Sequence, residues 1–121
     1  MIQKVSLTEA FGQVPELWSP HIFAGLNDAY VKLARLHGEF IWHQHETEDE
    51  LFLVVKGELV ILLRDGEVRL KEGEFVVIPR GVEHKPVAAE EVHVVLIEPK
   101  STVNTGNVVD EHTKEAKWAA S

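Results

Sequence analysis

A chain of 121 residues, 45% of them hydrophobic and none of them cysteine, has room for one packed domain and one site of chemistry, and it excludes disulfides, thiolate ligands and a cysteine nucleophile. The formal charge of -8 comes without a basic cluster able to neutralise phosphates, so nucleic acid is not an expected partner. No stretch approaches the ~18 apolar residues of a membrane span, and Met1-Ile2-Gln3-Lys4-Val5 lacks the apolar run of a secretion signal, so a soluble, cytoplasmic protein with no membrane partner is expected.

Near the start, Ser6-Leu7-Thr8-Glu9 has the spacing of a capping box and Gly12 is placed to stop the helix, which predicts a short N-terminal helix. From His21 onward, short runs rich in Val, Ile, Leu and Phe are separated by turn residues, the pattern of an antiparallel β sandwich or barrel. The spacing predicts strands near 21–26, 29–37, 39–45, 50–56, 58–64, 67–71, 75–79, 84–87 and 92–98. Turns fall at Asn27-Asp28, Lys56-Gly57, Asp65-Gly66, Glu72-Gly73 and Pro79-Arg80-Gly81, with Asp65-Gly66 the strongest hairpin signal. No interval carries a long helical period, which excludes βαβ folds. After Pro99 the alternation fades into a polar C-terminal tail, 99–121, and the whole of 1–121 reads as a single domain.

Strand alternation also predicts which faces need cover. If Glu50 points inward with Phe52 and Val54, then Leu51, Leu53 and Val55 face outward. The parity that places His43 and His45 inside sends Phe40 and Trp42 to the opposite face. A second subunit is the natural cover, so a homodimer is expected; the competing cover is the N-terminal segment around Phe11, Leu17 and Trp18.

The chemistry-bearing residues converge on one point. His43 and His45 stand two apart on a strand, so both imidazoles leave the same face about 7 Å apart along the backbone. Glu50 opens the next strand and can set a carboxylate beside them; His84 follows the Pro79-Arg80-Gly81 turn that sends the chain back into the barrel. Three imidazoles and a carboxylate suit one divalent transition-metal ion, Fe, Mn, Ni, Cu, Co or Zn, better than Ca or Mg. Four protein ligands leave two open positions on an octahedral ion.

These residues resemble the two motifs of the cupin superfamily. His43-x-His45, four residues, Glu50, six residues and Gly57 match the first, and Gly73, five residues, Pro79-x-Gly81, two residues and His84 match the second. Gly38 stands four rather than five residues before His43, and Ala88 takes the place of the final Asn; neither is a ligand position in the pattern. The resemblance covers about residues 30–98 and implies an all-β, double-stranded β-helix (jelly-roll) barrel, to which the short N-terminal helix is added.

Other polar residues carry weaker signals. Glu46, Glu48 and Asp49 read as a solvated acidic loop, and His93 as a core or interface histidine with a second use as an acid/base group if it faces the pocket. Arg35 and His37 precede the ligand strand and fit a surface position as well as a pocket mouth. The site as a whole favours a small metalloenzyme acting on a small oxygen-rich organic substrate, with dioxygenase-type oxidation first. The alternatives are a sugar or keto-acid isomerase or epimerase and a non-catalytic metal or small-molecule binding or sensing module. Short chains resembling this one often carry a mannose-6-phosphate-isomerase-like label, but Arg35, Arg64, Arg80 and Lys85 are dispersed and form no phosphate site.

Overall fold

The computed structural model describes residues 2–119. Ser6 starts the helix by accepting a hydrogen bond from the Glu9 amide at 3.4 Å, and α1 (Leu7–Phe11) buries Ala10 and Phe11. Gly12 ends it in a right-handed conformation, without the left-handed residue that often closes a helix.

The strands run in chain order as β1 (His21–Leu26), β2 (Ala29–Glu39), β3 (Glu50–Lys56), β4 (Leu59–Leu63), β5 (Gly66–Leu70), β6 (Phe75–Ile78), β7 (His84–Pro99) and β8 (Lys117–Trp118). Their order across the sheet is β5-β4-β7-β2-β1-β8, while β3 pairs with β6 on one edge and β7 on the other. Strand β7 joins the two halves of the barrel. Its first residues, His84 to Val87, pair with β4, and from Val92 onward it lies between β2 and β3. Between these stretches its register with β2 shifts at Leu36/Gly38 opposite Val92/Ala88, so the strand bends there and passes from one sheet to the other. The result is an all-β jelly-roll.

Two expected strands, 84–87 and 92–98, are therefore one continuous bent strand. The expected strand 39–45 is reduced to a single bridge at His43, and β8 in the tail carries no apolar alternation that would reveal it. The β4–β5 hairpin forms, but its two turn residues are Arg64 and Asp65, and Gly66 already belongs to β5.

The barrel interior holds Ala34, Leu36, Phe52, Val54, Leu59, Ile61, Val92, Val94 and Leu96, one residue in two along each strand. A second apolar cluster lies on the outer face of the β2–β7–β3 sheet, where Ala10, Phe11 and Val14 bury Leu33 and Val95 and pack on Leu53 and Val55. Burying the Phe11 ring there contributes about 2–3 kcal/mol. Of the outward side chains of β3, Leu53 and Val55 are thus covered by the chain's own N-terminal segment.

Candidate metal centre

His43 and His84 meet as direct neighbours across an isolated antiparallel bridge: the His43 amide donates to the His84 carbonyl at 3.1 Å, and the His84 amide donates back at 2.9 Å. His45 is fixed two residues further on, where its carbonyl accepts from the Gly81 amide at 2.8 Å. That bond ties the first histidine pair to the turn that delivers His84. Glu50 opens β3 opposite Ile78, with its side chain inside the barrel.

One ligand atom from each of His43, His45, Glu50 and His84 lies within 4.8 Å of every other, and all four residues are buried. Two atoms bound at ~2.1 Å to a common ion are at most ~4.2 Å apart, so a small contraction seats an ion. Nδ1 of His43 is 2.9 Å from the Ile41 carbonyl and Nδ1 of His84 is 3.0 Å from the Val82 carbonyl, which turns both Nε2 atoms toward the centre. His45 Nε2 stands 3.4 Å from Glu50 Oε1, yet neither ring nitrogen of His45 has a hydrogen-bond partner. A fully buried imidazole left unpaired is costly, and a cation at this point satisfies it. The set is therefore one that could hold a metal ion.

The charges are arranged to keep the donors open. Burial first, and then the neighbouring His84, lowers the His43 pKa to about 4, so its ring is neutral at ordinary pH. Burial pushes the Glu50 carboxyl upward, but its interactions with Glu98, with the nearby His45 ring and with His84 outweigh it and hold the group well below the usual carboxylate range. Glu98 sits on β7 one step beyond the Leu51–Ile97 pair, directly across from Glu50, and its Oε1 accepts from Lys32 Nζ at 2.8 Å. Burial, followed by the charge and hydrogen bond of Glu50, drives Glu98 well above the usual range against the pull of Lys32.

Glu98 and Lys32 were absent from the sequence reading. A Lys and a Glu each standing alone in an apolar strand, at positions of inward parity, are the signal that could have found them. A second missed group lies in the tail. The Asn107 amide donates to the Gln44 carbonyl and Asn107 Oδ1 accepts from the Gln44 amide, both at 2.9 Å, so the tail clasps the backbone between His43 and His45. Gly106, at φ +56, lies so near that a Cβ would collide with the Gln44 carbonyl.

Phe40 corrects the parity argument. It is buried, its ring stacks on Trp18 at 4.8 Å, and it meets His43 edge-on at 5.4 Å, so it faces the metal centre. The Phe40 amide bonds to the Pro86 carbonyl and His43 to His84, so three steps on one chain (40 to 43) oppose two on the other (86 to 84). That extra residue moves the pattern by one face. Trp42 remains outside, with the Arg64 guanidinium 3.9 Å from its ring centroid.

The remaining sequence candidates lie elsewhere. His93 points outward, stacks on Phe11 at 4.5 Å and places Nε2 2.9 Å from Glu91, so it does not reach the pocket as an acid/base group. Arg35 pairs with Glu91 and donates to the Val14 carbonyl at 2.8 Å, anchoring the N-terminal segment; His37 is exposed and its carbonyl accepts from the Trp18 indole. Asp49 accepts from Arg80, and Glu48 accepts from Thr47 and Ser101.

A cavity of about 40 Å³ touches His43, Glu50 and Glu98 and is otherwise walled mainly by Trp18, Leu36, Phe40, Phe52 and Leu96. It has room for a few waters.

The fold and this His/Glu centre are those of a cupin: residues 30–98 match the family described as "Cupin domain", and the chain belongs to that family. It is similar to the protein YdbB of Bacillus subtilis, 36% identical over 86 residues that cover 70% of this chain and 76% of that one. A cupin-2 domain containing protein from Shewanella frigidimarina is 44% identical with a TM-score of 0.78, over 79% of this chain and 94% of its own. Protein NMB1881 from Neisseria meningitidis is 28% identical with a TM-score of 0.74, over 81% of this chain and all of its own (100%). No helix among the described residues is long and apolar enough to cross a membrane.

Proposed function

We propose that this cupin is a small metalloenzyme in which His43, His45, Glu50 and His84 ligate one divalent transition-metal ion and a small oxygen-bearing organic substrate reacts beside them, with dioxygenase-type oxidation favoured. The observation that carries the reading is the wall of the adjoining cavity, which presents Trp18, Phe40, Phe52 and Leu96 beside His43 and Glu50 and contains no Lys or Arg. Such a wall, around space for only a few waters, offers no cation to a phosphate and leaves only the oxygen atoms of a small substrate to meet the ion, which argues against a sugar phosphate. When bound, the ion supplies a Lewis acid and, if it is Fe, Mn, Ni or Cu, redox chemistry. The protein's own part is to hold the two Nε2 atoms of His43 and His84 inward and to exclude water with the Trp18–Phe40 stack.

A second reading is favoured by Glu98. A buried carboxyl beside the cavity, pushed above the usual carboxylate range by burial and by Glu50, is placed to take up and pass a proton, the need of a keto-acid or sugar isomerase or epimerase. The two are separated by loading the purified protein with Fe, Mn, Ni, Cu, Co or Zn and testing catechols, dicarbonyls, keto acids and sugars. Metal-dependent oxygen uptake supports the oxidation. Solvent deuterium entering the substrate without oxygen uptake supports the isomerisation, and neither response leaves the binding or sensing module.

We further propose that the protein works in the cytoplasm, consistent with its lack of cysteine, and forms a homodimer. Phe40 no longer supports the dimer, and the outer sheet face is partly covered by α1. The remaining apolar surface on that sheet includes Phe75 and Val77 of β6, an edge strand, exposed by 64% and 45%. Light scattering on the parent and on Phe75→Lys tests this: a dimer that becomes a monomer supports it, and a monomeric parent contradicts it.

A further inference from the structure

Among the described residues β6 pairs with β3 alone, so one of its edges is open. The hydrogen bonds show which backbone groups face that edge. The Val54 amide donates to the Glu74 carbonyl at 3.0 Å and the Gly73 amide to the Val54 carbonyl at 2.8 Å, with Gly73 at φ +84, so the chain enters β6 through a bulge. From Glu74 onward the antiparallel alternation turns the amides and carbonyls of Val76 and Ile78 toward β3, opposite Phe52 and Glu50. Those of Phe75 and Val77 therefore point to the open edge.

This edge lacks the charges that discourage pairing. Strand β5, the edge at the far end of the sheet path, carries Glu67 and Arg69, both exposed and joined at 2.6 Å. Strand β6 reads Phe-Val-Val-Ile, and its outward side chains Phe75 and Val77 are exposed. Charge is confined to its ends, with Glu72 and Glu74 before it and Arg80 after it. Arg80 meets Asp49 through Nε and one terminal nitrogen, which leaves its second terminal nitrogen for another carboxylate. An antiparallel copy of the strand brings the acidic end of one chain to Arg80 of the other, whereas a parallel copy sets like charges together.

We propose that β6 pairs with β6 of a second copy, antiparallel about a two-fold axis at Val76, so that the sheets of the two chains become continuous. This rests on the homodimer proposed above and names its interface. With Val76 facing Val76, Phe75 and Val77 of one copy stand opposite Val77 and Phe75 of the other, and each such pair exchanges backbone hydrogen bonds. Moving the axis to Val77 sets Phe75 against Pro79, which has no amide to donate. Moving it to Phe75 sets Val77 against Gly73, whose amide already bonds to Val54. The register at Val76 also places Glu72 opposite Arg80 at both ends. Beyond Leu53 and Leu51, their neighbours on β3, Phe75 and Val77 then carry the outer apolar rows into the second copy.

Because the chain contains no cysteine, one introduced thiol reports the interface. In this register Val76→Cys meets its own copy with Cα atoms ~4.5 Å apart, within the span of a disulfide. Under mild oxidation it is expected to form a covalent dimer about tenfold faster than Val109→Cys, an exposed position in the tail. A mixture of Phe75→Cys and Val77→Cys should crosslink, while each alone should not, since identical residues of the two copies lie on a diagonal beyond disulfide reach. Glu72→Arg, which sets like charges opposite at both ends, should weaken dimerisation about tenfold in sedimentation equilibrium. A dimeric parent in which Val76→Cys crosslinks no faster than Val109→Cys, or in which Phe75→Cys alone crosslinks as readily as the mixture, overturns this interface and leaves the homodimer standing. Unchanged dimerisation in Glu72→Arg overturns it too. A monomeric parent overturns the homodimer and this interface together.

Discussion

Lys32 and Glu98 form an ion pair of 2.8 Å with side chains only 3% and 2% exposed, and the Glu98 carboxylate lies one strand away from Glu50. Two charges taken so far from water are tolerated because each satisfies the other, and the pair fixes the wall behind the candidate ligand. Removing one partner strands the other. Lys32→Met is expected to destabilise the metal-free protein by about 3–5 kcal/mol, whereas Lys32→Met combined with Glu98→Leu recovers most of the loss. Urea denaturation of the three proteins checks this, and equal losses in the single and double variants would contradict the pairing.

Gly106 supports the site from the tail. A Cβ at this position meets the Gln44 carbonyl between two candidate ligands, and the left-handed φ is itself unfavourable for alanine. Gly106→Ala should cost about 2–3 kcal/mol and weaken metal binding by displacing His43 and His45. Asn107→Ala, which removes the side-chain half of the clasp and no core contact, should weaken metal binding while lowering the melting temperature only slightly. Unchanged metal affinity in both variants would show that the clasp does not position the histidines.

Acid should weaken the metal-free fold in a defined window. The folded His43 pKa, about 4, lies below its ordinary value of 6.5, so between these values the unfolded chain binds the proton and the folded one does not. Its contribution is complete above pH 6.5 and is lost as the pH falls toward 4, of order 3 kcal/mol in all. Glu98 acts in the opposite sense, since its raised pKa favours the fold at low pH and that support fades as the pH rises through it. The difference in melting temperature between the parent and His43→Gln, followed from pH 4 to pH 7, isolates the histidine. A difference that does not change over this range would contradict the burial effect.

Trp18 lines the cavity beside His43. Its backbone adopts φ 58, an unusual conformation for a bulky residue, and is held there by its amide bond to the Arg35 carbonyl and its indole bond to the His37 carbonyl, each 2.9 Å. Trp18→Ala is expected to cost about 1–2 kcal/mol and to speed the removal of bound metal by a chelator several-fold, because it uncovers Phe40 and His43. Stopped-flow chelation measures the rate, and an unchanged rate would place the route to the centre elsewhere.

The strands were legible where a short apolar run is bounded by polar or turn residues, as in 21–26 and 50–56, whose limits match β1 and β3. The two expected strands at 84–87 and 92–98 were split because Ala88-Ala89-Glu90-Glu91 interrupts the apolar run, and a bend that continues hydrogen bonding leaves no mark in hydrophobicity. His43, His45, Glu50 and His84 were readable because metal-binding residue types recur there at fixed spacings. Phe40 was misplaced because the extra residue between Phe40 and His43 depends on the partner strand. Lys32 and Glu98 are 66 positions apart, and the Gly106–Gln44 contact joins two loops, so neither follows from local pattern.

The most direct test of the account is the metal stoichiometry of the purified chain after chelation and reloading with a divalent transition-metal ion, measured by calorimetry on the parent and on His84→Ala. The account predicts one ion per chain in the parent, with a raised melting temperature, and little or no binding in the variant. A parent that takes up no ion, or a His84→Ala variant that binds one as tightly, would contradict it.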